Sequence, residues 1–383
     1  MAEFSMQLEP WQDVFHIGPG TLAGRYLRRW WHPVAVAKDV QPGRAKPVRT
    51  FGEDLTLYRG EDGAPHLVAF RCAHRGTQLS TGWVERDNIR CFYHGWVYGP
   101  DGQCLEQPAE PEPFCSRIKI RSYPVQEYVG LIFAYLGEGT PPELPRYPEL
   151  EGDGILRASV YTWPCSYFNS LENGVDHVHG AFVHGEIRKE VGWFGIPRVT
   201  AEEAEWGIKH TGTRPDGGVR VVCHQWPNIN QRKAGPPRGF PGTPWSEAVA
   251  WRVPVDDTNV SSFGVNLIHL TGAERYLAGP SDAGENGAPR RAVDVAAAVL
   301  RGEERVHDVT GRIATNVQDY TAQVGQGTIP DRTIEHLGRS DVGVLLLRRI
   351  WERELSALAE GQPLKEWTQR QGVEPTTGLV AAR

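Results

Sequence analysis

Residues 72–75 read Cys72-Ala73-His74-Arg75 and residues 91–94 read Cys91-Phe92-Tyr93-His94, so each short segment presents one sulfur and one imidazole. Matched pairs of this kind point to a metal centre, because thiolate sulfur and imidazole nitrogen ligate both zinc and iron–sulfur clusters. A single tetrahedral zinc accepts the same four residues. Zinc fingers, however, usually keep their cysteines together and their histidines together at short spacings, whereas here each pair is mixed. Mixed pairs suit two hairpin tips that clamp a two-iron cluster, with both sulfurs on one iron and both nitrogens on the other. Gly76 follows the first pair and Gly95-Trp96 the second, and Tyr98-Gly99-Pro100-Asp101-Gly102 turns the chain back into strand.

The chain has 383 residues, more than a small electron-transfer module needs, so two domains or one large one are expected. A net charge of −6 gives no basic footprint for nucleic acid or for an anionic membrane. The first residues carry Glu3, Glu9 and Asp13 and show neither a basic leader nor an apolar signal core. The best apolar runs, 129–136 and 342–347, fall well short of the ~20 residues of a membrane span. A soluble, cytoplasmic protein is expected. Cys104, Cys115, Cys165 and Cys223 show no paired spacing and read as free thiols of a reducing compartment.

Taken in order, residues 18–35 place Leu22, Tyr26, Leu27, Trp30 and Trp31 at helical spacing after a Thr21 cap. From Pro33 to about Leu136 short β-rich runs follow, at 48–51, 55–58, 67–70 and 131–135. Residues 137–154 are rich in Pro, Gly and Glu and read as a connector. Beyond it, strands are expected at 205–213, 218–226, 246–255 and 259–269, with helices near 166–182, 305–325 and 341–360. The fold class is α+β with an antiparallel sheet in its second half. The Gly- and Pro-rich stretches 231–244 and 271–290 read as loops able to act as lids or as plain surface insertions. The chain carries no Gly-x-Gly-x-x-Gly, so electrons from a nicotinamide must arrive through another protein.

Residues 171–184 form a second cluster of ligand-type side chains, with His177, His179 and His184 beside Glu172 and Asp176. Non-haem Fe(II) oxygenases hold iron with two imidazoles and one carboxylate on one face, leaving positions open for O₂ and substrate. His179 and His184 fit the imidazole pair. Five residues of ideal helix turn through about 500°, which leaves the two rings poorly aligned, so a distortion at Gly180 is expected. His177 points nearly opposite to His179 on any helix and reads as a packed or hydrogen-bonded residue.

The segments 72–76, 91–96 (Cys-Phe-Tyr-His-Gly-Trp) and 108–112 (Pro-Ala-Glu-Pro-Glu) resemble the large subunit of the Rieske non-haem iron oxygenases, of the phthalate dioxygenase and vanillate O-demethylase type. The resemblance spans residues 15–355 or so, and 21–26, 71–80 and 106–111 look closest to O-demethylases of lignin-derived biaryls. It implies a β-rich Rieske [2Fe-2S] domain over 36–155, with Cys72, His74, Cys91 and His94 on the cluster. Residues 1–35 and 156–383 would form a helix-grip-like catalytic domain. The family pattern Asn-x-x-Asp-x-x-His-x-x-x-x-His matches Asn173, Asp176, His179 and His184. The third ligand of a mononuclear Fe(II) then resembles Asp319, with Asp308 and Glu335 as weaker candidates.

The same resemblance makes Asp176 an electron bridge from His179 to His94 of the partner subunit in a homotrimer. It implies a reductase or ferredoxin as donor, O₂ as co-substrate and O-demethylation of a methoxylated aromatic, with ring hydroxylation or N-demethylation as alternatives. A Rieske electron carrier without oxygenase activity is the reading from another class. Phe168, Trp226, Asn230, Trp251 and Asn266 combine apolar faces with a few donors and are the candidate pocket walls.

Overall fold

The structure, a computed structural model, describes residues 10–185, 195–234, 246–269, 291–310, 313–370 and 372. Between residues 31 and 135, β-branched and aromatic runs alternate with Gly, Pro and Asp turns, which favours short strands over helices. The strands are β1 (Trp31–Val36), β2 (Arg44–Thr50), β3 (Glu53–Arg59), β4 (Pro65–Ala69), β5 (Trp83–Glu85), β6 (Asn88–Arg90), β7 (Val97–Tyr98), β8 (Cys104–Glu106), β9 (Ser122–Tyr123), β10 (Val125–Tyr128) and β11 (Leu131–Tyr135). They form antiparallel sheets ordered β1-β11-β10, β2-β3-β4-β9 and β5-β6-β7-β8. The loop bearing Cys72 and His74 follows β4 and the loop bearing Cys91 and His94 joins β6 to β7, and both cysteines belong to a small core with Tyr58, Val68, Leu79, Ile89, Trp96 and Tyr98.

The second half is built on one antiparallel sheet. Its strands are β12 (Ile155–Trp163), β13 (Arg198–Ala204), β14 (Gly207–Thr213), β15 (Val219–Gln225), β16 (Ile229–Ala234), β17 (Ser246–Asp256) and β18 (Asn259–Ile268), in the order β12-β18-β17-β16-β15-β14-β13. Helices α1 (Leu22–Leu27), α2 (Tyr167–Gly174), α3 (His179–Phe182), α4 (Ala292–Leu300), α5 (Ala314–Val324) and α6 (Val342–Ala359) pack around it. No helix among the described residues is long and apolar enough to cross a membrane.

Strand alternation divides the sheet's work. Val249, Trp251, Val253 and Val265 point into the main core, where Trp251 meets Phe133 of β11 edge-on at 5.4 Å between ring centres. That contact joins the two halves, and it explains why every residue of β11 is buried. The opposite face, with Asn230, Ala250, Arg252 and Tyr161, looks toward α2 and α5. Trp163 there meets Tyr320 of α5 edge-on. Asn230 presses on Gly174 so closely that a Cβ at 174 would lie 2.1 Å from its Nδ2, so any side chain there would force Asn230 to move.

The antiparallel second-half sheet and the α+β class match the sequence-based expectation, while several elements depart from it. The helix expected over 18–35 is confined to Leu22–Leu27, capped as expected by Thr21, whose Oγ accepts from Gly24 N–H. Trp31 opens β1 instead, because Pro33 disfavours helix in the residue before it, and β1 crosses the expected domain boundary at residue 36. Strands β12, β13 and β16 and helix α4 were not anticipated. β12 has no clean alternation to read, since most of its residues keep some exposure. The expected 305–325 helix begins only at Ala314. Residues 231–234 belong to β16, while the rest of the 231–244 stretch and all of 271–290 lie outside the described residues.

Helix α2 is anchored by a closed ring of charges. Glu172 accepts from Arg332 at 2.5 Å and from Arg348 at 2.6 Å, and both arginines also reach Glu335. Every charge in the ring is paired, the condition under which burying ions is tolerable. Glu335 is thereby committed to structure.

Candidate metal centres

The two Cys/His loops are built alike. Cys72 N–H donates to Thr77 O at 2.8 Å and Gly76 N–H to Cys72 O at 2.9 Å, while Cys91 N–H donates to Trp96 O at 2.8 Å and Gly95 N–H to Cys91 O at 3.0 Å. Gly76 and Gly95 close these turns at φ of 76° and 74°, in the left-handed region where glycine is at no disadvantage. Cys72 and Cys91 are buried, and the His74 and His94 rings meet edge-on at 4.5 Å. His74 also stacks on Trp96 at 4.7 Å, and its Nδ1 is buried without a hydrogen-bond partner. Burial raises the Cys72 thiol above its ordinary pKa, and the Tyr98 hydroxyl opposes it, donating to Cys72 Sγ at 3.2 Å.

One tetrahedral zinc with bonds of about 2.0–2.3 Å gathers its ligand atoms within about 4 Å of one another. No three of the four loop ligands gather so closely; among the described residues only His179, His184 and Asp319 have ligand atoms all within 4.8 Å. The spread fits a two-iron unit with sulfur at one end and nitrogen at the other.

The second constellation owes its geometry to a break in the helix. Helix α2 ends at Gly174, and α3 holds only His179–Phe182. His184 therefore lies past the helix, in a turn, and the misalignment expected of a regular helix does not arise. No distortion within α3 at Gly180 is needed. Asp176 shapes the break, its Oδ1 accepting from Val178 N–H at 2.7 Å and His179 N–H at 3.2 Å, a local turn typical of Asp. Its Oδ2 lies 3.5 Å from His179 Nδ1, so His179 offers Nε2 to a metal.

His184 is oriented from the other side. Its Nδ1–H donates to Gln318 Oε1 at 2.9 Å, and its Nε2 stands 3.0 Å from Asp319 Oδ1. His179 Nε2 lies 3.9 Å from the same oxygen. That oxygen is buried yet takes part in no hydrogen bond, so nitrogens and oxygen face a common point without bonding each other. Adjacent positions of an octahedron with bonds of about 2.1 Å are about 3 Å apart, and two imidazoles with one carboxylate is the donor set of non-haem Fe(II). Burial works to raise the Asp319 carboxyl, but contact with His184 and the charges of His179 and Arg252 outweigh it and hold it below the ordinary carboxylate value. Asp176 is likewise held low, against burial, by His179 and by the backbone N–H groups it accepts. Both are carboxylates at neutral pH.

Helix α2, which leads into the segment bearing His179 and His184, is tied to α5 and the turn after it by protein contacts. Asn169 of α2 donates to Gln323 O and Gly327 O at 3.2 Å each, and Ser170 Oγ donates to Gln323 Oε1 at 2.6 Å. His177 is buried and its Nδ1 meets His210 Nδ1 at 2.5 Å, in keeping with a packed role. Asp308 sits on a short surface turn and faces Arg305, away from the triad.

The candidate pocket residues scatter. Asn230 lies on the metal-facing side, held by His224 Nδ1 at 2.9 Å, and the register places Asn266 on that side too. Trp251 faces the other way, into the main core. Phe168 is fully buried among Phe15, Tyr167 and Trp351, and Trp226 packs on Tyr26, Trp351 and Trp367. The structure therefore does not bring these three rings to the triad. Arg232 and Arg252 do stand on the metal-facing side, and no sequence signal marked them.

The Rieske [2Fe-2S] domain family matches residues 30–128. The chain is 32% identical over 363 residues to the 5,5'-dehydrodivanillate O-demethylase oxygenase subunit of Sphingobium sp., covering 91% of this chain and 80% of that protein. It is 34% identical over 376 residues to the phenoxybenzoate dioxygenase subunit alpha of Ectopseudomonas oleovorans, covering 90% and 84%. Among solved structures, the terminal oxygenase of carbazole 1,9a-dioxygenase from Novosphingobium sp. KA1 shares the fold with a TM-score of 0.65 at 20% identity, covering 90% of this chain and 95% of that one. With mixed Cys/His loops fitted to a two-iron cluster and a separate His/His/Asp site fitted to a single iron, the chain belongs to the Rieske non-haem iron oxygenases, as the oxygenase subunit of a multicomponent system.

Proposed function

We propose that this oxygenase removes a methyl group from a methoxylated, lignin-type aromatic compound, using O₂ and electrons delivered by a separate reductase or ferredoxin in the bacterial cytoplasm. The observation that carries the reading is the His179, His184 and Asp319 site in a chain whose relative over nearly its whole length is an O-demethylase subunit. When bound, the cluster supplies one-electron transfer and the single iron supplies O₂ activation. The residues of the chain do the rest. Cys72 and Cys91 offer buried sulfurs, and His74 and His94 offer nitrogens close to the exposed rings of Phe92 and Tyr93, each 53% exposed. Gln318 fixes the His184 tautomer, and Asp319 remains ionised.

Asp176 is the proposed conduit between centres. It reaches His179 on one side and keeps 28% of its side chain accessible on the other, which supports contact with His94 of the partner subunit across a homotrimer. A ring of this kind uses a heterologous interface that closes on itself.

A second reading, oxidation of the aromatic ring itself, is favoured by the phenoxybenzoate dioxygenase relative. Supplying the holoenzyme with a general reductase and a panel of methoxylated aromatic acids separates the two. Formaldehyde released in step with O₂ uptake is expected, and a hydroxylated ring with no formaldehyde would replace demethylation by hydroxylation.

A further inference from the structure

Two thiols that ligate nothing stand together beside the Cys/His loops. Cys104 opens β8, and Cys115 opens the short turn Cys115–Arg117. Backbone bonds hold the two segments side by side. Cys104 N–H donates to Ile118 O at 3.0 Å, Ile118 N–H donates to Cys115 O at 3.0 Å, and Gln103 Nε2 donates to Cys115 O at 2.8 Å and Ile118 O at 3.0 Å. The Cys115 side chain packs against the small core that contains Cys104, and the two thiols meet directly. Cys104 is buried and Cys115 half-buried, whereas Cys165 and Cys223 are both buried in the catalytic half.

The segment that these cysteines close leans on the loop of Cys91 and His94. Phe114 N–H donates to Gln107 Oε1 at 2.6 Å. Its ring meets Trp96 edge-on at 5.6 Å, and Trp96 in turn stacks on His74. Pro108 crowds the same loop, since a Cβ on Gly95 would lie 3.2 Å from Pro108 Cγ. A displacement of Cys115 therefore passes through its neighbour Phe114 to the ring behind His74. Burial pushes the Cys104 thiol up to about 12, and the Cys115 thiol against it adds to the effect. The more accessible Cys115 is the sulfur that an oxidant meets first.

We propose that Cys104 and Cys115 are a peroxide-reactive pair whose reversible disulfide shifts the potential of the [2Fe-2S] cluster. The oxidant is hydrogen peroxide, the two-electron product of O₂ reduced without substrate. Cys115 sulfur, as thiolate, attacks one peroxide oxygen and the O–O bond breaks. The sulfur is oxidised to a sulfenic acid, and the other oxygen leaves as hydroxide and takes up the proton that Cys115 lost, giving water. Cys104 sulfur then attacks Cys115 sulfur, so the S–S bond forms, the S–O bond breaks and a second water departs with the Cys104 proton. Two thiols and one peroxide become one disulfide and two waters. Drawing Cys115 onto Cys104 moves Phe114 against Trp96, and the packing and solvent exposure around a cluster set its potential.

The test treats the holoenzyme, freed of reductant, with a small excess of hydrogen peroxide, then denatures and alkylates it. Cys104 and Cys115 are expected to escape alkylation, and digestion after Glu106 should leave them in two joined peptides. Dithiothreitol should return both to the alkylated form. Protein-film voltammetry on the same samples should show a cluster potential that shifts with peroxide and returns with dithiothreitol. Cys115→Ser should keep the potential of the untreated protein and lose the shift. Should that variant fail to fold, judged by circular dichroism and iron content, Cys104→Ala takes its place with the same expected loss. Absence of the joined peptides, a sulfinic acid at Cys115 instead, a disulfide that leaves the potential unmoved, or a shift that survives in the variant would overturn the proposal.

Discussion

His184 Nδ1 lies 2.9 Å from Gln318 Oε1, and Gln318 is the residue immediately before Asp319. One stretch of α5 therefore both orients an imidazole and supplies the carboxylate beside it. The N–H donated to Gln318 leaves the Nε2 lone pair free for metal, which is the arrangement that partners of ligating histidines enforce.

Gln318→Leu should loosen the single iron by about ten- to a hundredfold and leave the cluster intact. Iron per chain would fall from about three toward about two, two irons being held in the cluster, with the reduced-cluster EPR signal unchanged. Loss of both together would mean that Gln318 supports the fold at large.

Asp176 has two tasks that substitution can separate. Asparagine retains the turn-closing oxygen and loses the charge, so Asp176→Asn should keep both metals and its unfolding temperature yet slow single-turnover oxidation of the reduced cluster by about ten- to a hundredfold. Alanine loses the oxygen as well and should cost about 1 kcal/mol of stability in addition. Full turnover by the asparagine variant would sink the bridge.

Tyr98 donates its O–H to Cys72 Sγ and accepts the N–H of Ala73 at 3.1 Å. Hydrogen bonds to cluster sulfurs raise the potential, so Tyr98→Phe should lower it. A fall of about 60 mV, the one-electron equivalent of a tenfold shift, is expected by protein-film voltammetry. An unchanged potential would mean that the hydroxyl serves packing alone.

Acid should destabilise the fold through His32. Its Nε2–H donates to Leu27 O at 2.7 Å and its Nδ1 accepts from Asn228 at 3.3 Å, a pattern that only the neutral ring satisfies. Burial lowers its pKa from 6.5 to about 4, with Arg28 adding to the effect. The unfolded chain then binds the extra proton first, so stability is full above 6.5 and declines as pH falls toward 4. Between pH 7 and pH 5 this residue should remove about 2 kcal/mol. Urea denaturation of His32→Gln against the native protein should show a shallower pH dependence for the variant, and parallel curves would refute the assignment.

The candidate ligands were legible where they are local. Two mixed pairs and a run of spaced histidines carry their meaning in a few residues each. Asp319 does not, since Gln318 and His184 are 134 positions apart and only the family resemblance linked the segments. The pocket was the least legible part. Trp251 and Arg252 are adjacent in sequence, but strand alternation sends the first into the core and the second toward α5, and that parity depends on a register no single strand reveals. Arg232 stands in a polar run, Gln231-Arg232-Lys233, that looks like the start of a loop. Its place on the metal-facing side follows only from β16 being an inner strand of the sheet.

The hydrogen bonds from Asn169 and Ser170 to Gln323 have a consequence for how such an enzyme can change. They lock α2, which leads into the segment bearing the candidate ligands His179 and His184, to α5, which bears Asp319, and the sheet contributes none of the three. Residues such as Ala250, Asn266 and Arg232 can therefore be exchanged without disturbing the frame that holds the metal. The catalytic engine and the substrate mould are separately heritable, and new substrates can be acquired by editing one wall.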